Sequence, residues 1–238
     1  MPKYPSSRCL SLLWIAFGAV FLCCSGCDLH RAAAPSDATF PHSVKSIAVV
    51  GFLPAVQPGG ETGLVRSPLV GAVHQAAPVQ AEVVDKMNDS LFSMMVEGKK
   101  YQFISPSQAQ GTLGSLLSSH PTAGEAELFM MVGKGMEVDA VLAGYLYRWV
   151  ERDGTDYGAN RPASVAFDLY LIQTSSGVIL WKGVFDKTQQ SLTENLFDLG
   201  TFLKAKGKWM SAEALAEMGL GELVERFPPG QIQAEAKE

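Results

Sequence analysis

The sequence predicts an α/β fold: a mixed β-sheet with an antiparallel meander, flanked by helices. Three observations predict this class. Residues 44–52 form a continuous β-branched apolar run, typical of a strand buried on both faces, and we expect it to be the central strand. Residues 79–97 repeat apolar side chains at helical spacing. Three further strand-like runs follow at residues 138–151, 163–173 and 178–189, and these predict the meander.

Residues 53–78 follow the first strand and predict an irregular excursion. They contain four prolines, which interrupt regular structure, and several glycines. A loop of this length is usually functional, so we expect it to contact a partner. Whether it forms a binding surface or a membrane segment stays open at this stage.

The first helix is predicted from an apolar stripe opposed by charged residues. Methionine is also common on docking surfaces, but this spacing favours packing in the core. The stripe consists of Val84, Met87, Leu91, Met94 and Met95.

Two shorter elements precede the meander. Residues 101–104 predict a short strand, and a helix then begins with Ser105 as a hydroxyl cap, Pro106 in the first turn and Gln108 completing a capping box. A second short helix is predicted at residues 125–132. It packs Leu128, Met131 and Val132, and Gly133 and Gly135 end it.

Within the meander, residues 174–177 predict a tight turn, with Gly177 suited to a positive φ. Side chains alternate along the strand at residues 163–173, so Asp168 and Tyr170 lie on the face opposite its aliphatic residues. Those aliphatic and aromatic residues are Val165, Phe167, Leu169 and Leu171.

The C-terminal third predicts two more helices. Ser191 and Glu194 form a capping-box pair that opens one of them, with Leu192, Leu196 and Leu199 on its apolar side. The final helix begins at Ser211, and Pro228 and Pro229 stop it.

The amino terminus has the pattern of a bacterial lipoprotein signal. Lys3 and Arg8 give a positive n-region, and residues 9–22 form an apolar run too short for a comfortable membrane span. Small residues then lead to Cys27, as in a lipobox. We expect lipidation of the Cys27 thiol and cleavage after Gly26. A plain secretory signal cut near Gly26 and an uncleaved anchor are the alternatives.

Cysteine usage supports the lipid anchor. The chain has four cysteines, and Cys27 is the last of them, so cleavage leaves one thiol and no intramolecular disulfide. Acylation at Cys27 would hold the protein on the inner or outer membrane of a bacterial envelope, facing the periplasm.

These features predict four segments. Residues 1–26 are a signal peptide, and residues 27–43 are the acylated cysteine with a flexible tether rich in Ala, Pro and Ser. Residues 44–227 form a single α/β domain. Residues 228–238 are expected to be a disordered polar tail.

Composition and motifs exclude several functions. The formal net charge is −5 and there is no basic block, so nucleic-acid binding is not expected. The sequence lacks the common hydrolase, zinc-protease and nucleotide-binding patterns. We therefore expect no enzyme activity, no cofactor and no metal site. The four histidines are scattered among loops: His30, His42, His74 and His120.

Two weaker patterns could mark sites. One is an acidic group, interpreted mainly as a solvated loop but able in principle to bind Ca²⁺ or act as paired carboxylates: Glu151, Asp153, Asp156 and Asp168. The other is a set of strand aromatics, interpreted mainly as core and cross-strand partners but able to form a peptide- or glycan-binding patch: Tyr145, Tyr147, Trp149, Tyr157 and Trp181.

The lipobox, the buried strand leading into an amphipathic helix, and the hairpin at residues 171–181 resemble one bacterial superfamily. It includes the curli-secretion channel lipoprotein, the TolB amino-terminal domain and the lipoprotein activators of penicillin-binding proteins. In the hairpin, Gly177 is followed four residues later by Trp181. The resemblance covers about residues 44–227 and implies a TolB amino-terminal-like fold without shared catalytic residues.

This resemblance implies a non-enzymatic envelope module that assembles, docks onto or regulates another envelope protein. Two alternatives remain open: a homo-oligomeric component of a secretion channel, and an enzyme that acts on the cell wall or a lipid. An envelope protein partner and a homo-oligomer are both compatible with the sequence.

Overall fold

The computed structural model describes residues 44–155, 158–189 and 208–230. Chain contacts divide the protein into two units, Met1–Thr39 and Phe40–Glu238, and the first lies wholly outside the described residues. The predicted signal peptide, Cys27 and the tether therefore stay predictions. The same holds for the helix expected from Ser191 onwards and for residues 231–238.

The described residues form nine strands and four helices. The strands are β1 (Ser46–Pro54), β2 (Gly63–Arg66), β3 (Val73–Ala76), β4 (Gln102–Ile104), β5 (Ala140–Val150), β6 (Asp153–Thr155), β7 (Gly158–Arg161), β8 (Ser164–Gln173) and β9 (Ile179–Thr188). The helices are α1 (Ala81–Gly98), α2 (Pro106–Ser119), α3 (Glu125–Gly135) and α4 (Ala212–Arg226).

The main sheet has five strands in the order β4-β1-β5-β8-β9. Strand β1 pairs in parallel with β4 and β5, whereas β5, β8 and β9 pair antiparallel, so the predicted mixed sheet and its meander are confirmed. The central strand is β5 and not β1, which corrects the expectation for residues 44–52. Only β4 lies outside β1, while the meander places two strands beyond β5.

Helices cover both faces of the sheet. On one face, α1 and α4 pack over the larger core, which contains the side chains of Phe167, Leu169 and Leu171. On the other face, α2 and α3 cover one half of the sheet, around Tyr170 and Ile172. This alternation along β8 confirms the predicted division of its side chains. The α1 stripe also packs in the core, with Met95 fully buried and Met94 half-buried.

Residues 53–78 are more regular than their composition predicts. They contain the antiparallel hairpin β2–β3, closed by hydrogen bonds from Ser67 N to Ala72 O at 2.7 Å and from Gly71 N to Ser67 O at 2.8 Å. The expectation of an irregular excursion is therefore wrong for residues 63–66 and 73–76. The prolines lie outside both strands, where they remove no bond from the ladder.

The helix and turn signals are confirmed in most places. Ser211 caps α4 by accepting a hydrogen bond from Ala214 N at 3.1 Å, and Gly177 has φ 71° in the turn between β8 and β9. At α2, Ser105 Oγ bonds the side chain of Gln108 instead of the helix backbone. None of the helices among the described residues is long and apolar enough to cross a membrane.

The domain continues beyond residue 227. Tyr101 donates its hydroxyl hydrogen bond to Pro228 O at 3.3 Å, and Gly230 is buried against Lys100 and Tyr101. Residues 228–230 therefore pack on the domain, which corrects the predicted start of the tail. Residues 231–238 lie outside the described part of the chain.

Candidate functional site

The hairpin β2–β3 covers the part of the sheet that α2 and α3 leave open. Its inward side packs on Tyr145, Tyr147 and Ala166, with Ala76 buried in the same cluster. Two hydrogen bonds join β3 and the residue after it to β5: Arg148 Nη1 donates to Gln75 O at 3.1 Å, and Ala77 N donates to Tyr147 O at 2.8 Å.

The outward side of the hairpin is apolar and exposed. Cross-strand partners share a face, so the pairs Leu64–Gln75 and Arg66–Val73 point outward while Val65–His74 points toward the sheet. Leu64 is 77% exposed and Val73 is 54% exposed. These are the most exposed large apolar side chains of the hairpin, and they lie diagonally across the two strands on the same face.

The hairpin follows the C-terminal end of β1, whereas the described chain begins near the N-terminal end of that strand. Strand β1 runs from Ser46 to Pro54, and the hairpin follows its C-terminal end. Nine strand residues separate the two ends of β1 by about 30 Å. Val44 and the start of the hairpin therefore lie at opposite ends of this strand.

A buried carboxylate holds the hairpin on the sheet. Asp168 is fully buried on β8, and its Oδ2 accepts hydrogen bonds from Tyr147 Oη at 2.7 Å and Tyr170 Oη at 2.6 Å. Its Oδ1 accepts from Tyr145 N at 3.1 Å. Ser67, at the turn of the hairpin, donates to Asp168 Oδ2 at 3.4 Å. We call these five residues the Asp168 anchor.

His74 adds a second link from the hairpin to the sheet. Its ring stacks on Tyr147 with centroids 4.0 Å apart, and its Nε2 lies 3.9 Å from Asp168 Oδ2. That distance is too long for a hydrogen bond, so among the described residues Nε2 is buried without a hydrogen-bond partner. Stacking on Tyr147 therefore holds this side chain.

Burial controls the protonation of the anchor. It raises the pKa of Asp168 above the ordinary carboxyl value, and the hydrogen bonds from Tyr170, Tyr147 and Tyr145 N offset this only in part. Burial also raises the pKa of Tyr147 and Tyr170, and the neighbouring carboxylate adds to that effect. Both phenols therefore stay protonated near neutral pH and act as donors.

We predict that Asp168 and Asp139 have opposite effects on the pH dependence of stability. Asp139 Oδ2 accepts from Lys45 N, Ser46 N and Ser46 Oγ. Burial alone would raise the pKa of Asp139, but these hydrogen bonds outweigh burial and lower it. The stabilising contribution of Asp139 is therefore present above its unfolded pKa and lost as the pH falls through the folded value. That of Asp168 is greatest below its unfolded pKa and lost as the pH rises through the folded value.

Urea unfolding between pH 3 and pH 8 checks this for Asp168→Asn and Asp139→Asn. Asn does not titrate, so each wild-type-minus-variant difference isolates one carboxyl group. We expect the difference to fall with rising pH for Asp168 and to rise for Asp139. Slopes of the same sign for both positions would contradict the assignment.

The hydrogen bonds of Ser67 in the Asp168 anchor are structural. Ser67 Oγ hydrogen-bonds the carboxylate and Tyr170 Oη, and no hydrogen bond joins it to His74 in this part of the structure. A serine nucleophile needs a base that accepts its proton, so the geometry here is that of a structural tie. Across residues 44–155, 158–189 and 208–230, no three His, Cys, Asp or Glu side chains converge on a point that could hold a metal ion.

The predicted acidic group does not form one loop. Asp168 lies in the core on β8, and Glu151 accepts a hydrogen bond from Ala212 N at 2.9 Å, which caps the start of α4. Asp153 is exposed on β6, and Asp156 lies outside the described residues. The interpretation as a solvated loop is wrong for Asp168 because alternation along β8 turns its side chain inward.

The strand aromatics divide between the two faces. Tyr145 and Tyr147 are buried under the hairpin, whereas Trp149 and Trp181 are half-buried against the larger core. The four described aromatics therefore pack within the domain, as expected of core and cross-strand partners. Tyr157 lies outside the described residues.

Sequence reasoning placed partner contact in residues 53–78 but missed the anchor beneath them. A signal was present: Asp168 is the only charged residue within an otherwise apolar strand that is buried on both faces. A carboxylate in that position needs several donors. His74 gave no such signal, because its partners come from strands that lie more than 70 residues further along the chain.

The chain is similar in fold to several solved bacterial proteins. Lipoprotein GNA1162 from Neisseria meningitidis has 17% identity and a TM-score of 0.40, over 68% of this chain and 94% of that one. The C-terminal domain of LpoB from Salmonella enterica has 13% identity and a TM-score of 0.36, over 61% and 83%. The PelC dodecamer from Paraburkholderia phytofirmans has 11% identity and a TM-score of 0.38, over 80% and 91%.

Among these neighbours is a bacterial lipoprotein, the class of protein that the sequence pattern resembles. No protein-family profile and no curated protein matches the chain. At such identities and TM-scores the likeness concerns the fold alone and carries no argument about what the protein does.

Proposed function

We propose that this protein is a membrane-anchored, periplasm-facing lipoprotein that acts as a non-enzymatic docking module of the bacterial envelope. In this proposal the Cys27 thiol carries the lipid. The outward side of the hairpin β2–β3 contacts a partner protein. The domain positions or regulates that partner by contact and performs no chemistry of its own.

One observation carries the proposal: the exposed apolar pair Leu64 and Val73 stands on a hairpin that a buried anchor holds in place. Exposure of large apolar side chains to water is unfavourable, and their burial in an interface lowers the free energy. A surface held by the Asp168 anchor is already ordered, so binding needs little further loss of conformational entropy.

The position of the hairpin supports this role. A lipid on Cys27 would join the domain through residues before Val44, at the end of β1 opposite to the one that the hairpin follows. The hairpin would then lie away from the attachment point, accessible to proteins of the periplasm.

The lipid anchor makes a separate prediction. Cys27→Ala should remove the acylation site and release the protein from the membrane fraction into the soluble fraction, because one thioether-linked diacylglycerol together with an amide-linked chain makes attachment effectively permanent. Fractionation of cells that express the full chain checks this, with Cys24→Ala as the matched control. Continued membrane retention of Cys27→Ala would contradict the proposed anchor.

Photo-crosslinking in cells tests the docking surface. A photoreactive amino acid replaces Leu64 in the full-length chain, and the control carries it at Leu117, an exposed leucine near the end of α2. We expect a discrete adduct with another envelope protein from position 64 and none of that mass from position 117. Adducts only between copies of this chain would favour the homo-oligomeric alternative, and equal labelling from both positions would overturn the hairpin as the docking surface.

A further inference from the structure

We infer that the hairpin receives its partner by strand addition: an extended segment of the partner, alternating apolar and polar residues and carrying a carboxylate, pairs with the free edge of β2. This inference rests on the proposed docking function and names the chemistry of its partner. It follows from the backbone of the hairpin, from its exposed side chains and from its charge.

The backbone of β2 has an unpaired edge. Because Ser67 N donates to Ala72 O, the hydrogen-bonded cross-strand pairs of the ladder are Ser67–Ala72, Val65–His74 and Gly63–Ala76. The N–H and C=O groups of Leu64 and Arg66 therefore point away from β3. Within the described residues, β2 has no partner other than β3.

The hydrogen bond at Gln75 independently supports this assignment of inward and outward backbone groups in the hairpin. Gln75 is opposite Leu64, and its C=O accepts from Arg148 Nη1 on β5, so it points away from β2. The outer edge of β3 therefore faces β5 at Gln75, and β2 is the strand of the hairpin with an open edge. An open edge with exposed backbone groups is a template for another strand.

The chemistry of this edge favours a polypeptide. Leu64 and Arg66 offer alternating donors and acceptors that a lipid chain cannot satisfy, whereas the backbone of an extended segment can. A side chain on the outward face of such a segment would pack beside Leu64, which is 77% exposed. The added strand would thus bury the apolar surface and the polar edge together.

The positive charge of Arg66 favours a partner segment that carries a carboxylate. Between Gly63 and Ala76, Arg66 is the only Lys, Arg, Asp or Glu residue. Its Nη1 donates to Gly71 O at 2.9 Å, which leaves further guanidinium donors for a carboxylate. An acidic residue on the outward face of the added strand is therefore complementary.

The structure argues against two other occupants of this edge. A second copy that paired β2 with β2 would bring another Arg66 and no carboxylate into the interface, so the two edges are not complementary in charge. The chain's own amino-terminal segment joins the domain at Val44, before β1, whereas the hairpin follows the other end of that strand.

The test uses the full-length chain in cells, with the photoreactive amino acid at Val73, on the same outward side as Leu64. Leu64→Pro removes the outward N–H and blocks a new strand, but removes no bond between β2 and β3. Leu64→Thr is the matched control, because it shortens the apolar side chain and keeps the edge. Protein level and protease resistance are compared for both.

We expect Leu64→Pro to reduce the adduct by about tenfold or more, and Leu64→Thr to reduce it by about threefold or less, since the edge bond and the steric block affect only the former. Equal adducts from Leu64→Pro and the parent would overturn strand addition and leave the docking function standing. Equal losses from both variants would also overturn it, because they would show recognition of the side chain alone. An adduct between two copies would assign the edge to a second copy. No adduct from position 64 or position 73 in the parent would overturn the docking function itself.

If Leu64→Pro does not accumulate, a peptide-competition experiment tests strand addition instead. The probe is a seven-residue peptide in which valine alternates with threonine around a central aspartate, added to native membranes that hold the parent chain. We expect this peptide to reduce formation of the crosslinked adduct. A version N-methylated along one edge should need about tenfold higher concentration for the same reduction. A version with central lysine should also compete less. Equal competition by all three peptides would overturn the inference.

Discussion

Asp168→Ala should lower the free energy of unfolding by about 3–5 kcal/mol, one of the two largest effects we expect from a single substitution in this domain. The carboxylate is the common acceptor for Tyr147, Tyr170, Ser67 and Tyr145 N. Its removal leaves several buried donors without an acceptor, in a place where water has no ready access. The loss therefore exceeds that of one average hydrogen bond.

Urea unfolding of the purified full-length protein in mild detergent, at neutral pH, measures this effect. Asp153→Ala is the control, because Asp153 is exposed on β6 and should change stability by no more than about 0.5 kcal/mol. Asp168→Asn should lie between the two, since its amide oxygen still accepts. A loss below about 1 kcal/mol for Asp168→Ala would contradict the anchor.

The same substitution should loosen the hairpin. Ser67 and His74 connect the hairpin to Asp168, so without the carboxylate the inward side keeps only its apolar packing and the bonds at Gln75 and Ala77. We expect faster amide hydrogen exchange in residues 63–76 than in the main sheet. Uniform acceleration across the domain would show that Asp168 supports the sheet and not the hairpin in particular.

Gly144→Ala is the second change for which we expect a large effect, a loss of about 3 kcal/mol or more or failure to accumulate. Gly144 lies on β5 opposite Leu169, and a Cβ atom there would overlap the backbone carbonyl oxygen of Asp168. That neighbour is main chain in the centre of the sheet, so it cannot rotate away. The added methyl group would force β5 and β8 apart.

Gly114→Ala is the matched control. Gly114 lies in α2, and a Cβ atom there would meet no other atom within 4 Å. Alanine in a helix is favoured over glycine by about 0.5–1 kcal/mol, so this variant should be as stable as the parent or slightly more so. Cellular level and thermal unfolding compare the two variants. Normal stability of Gly144→Ala would show that the sheet tolerates a wider spacing at this point.

The local elements of this fold follow from the sequence because their signals are local. The apolar spacing of α1, the cap at Ser211 and the turn at Gly177 each depend on residues within a few positions of one another. Alternation along β8 also placed Asp168 opposite the larger core. The lipobox at Cys27 is another local pattern, and it remains a prediction because it lies outside the described residues.

The composition of residues 53–78 misled the prediction for a physical reason. Prolines and glycines indicated a loop, but they lie outside β2 and β3 and leave the strands free to pair. What stabilises so short a hairpin is the sheet beneath it. A two-stranded hairpin of this size is marginal on its own, and its support comes from β5 and β8.

The sequence by itself determined the α/β class, the mixed sheet with its meander and the segment in which a partner contact was expected. The tertiary structure alone decided that β5 is central, that Asp168 lies beneath Ser67 and His74, and that Leu64 stands exposed at an open strand edge. Each of these depends on pairing between residues far apart in the chain. Local propensity carries no information about such pairing, because burial and hydrogen bonding are satisfied only when the strands meet.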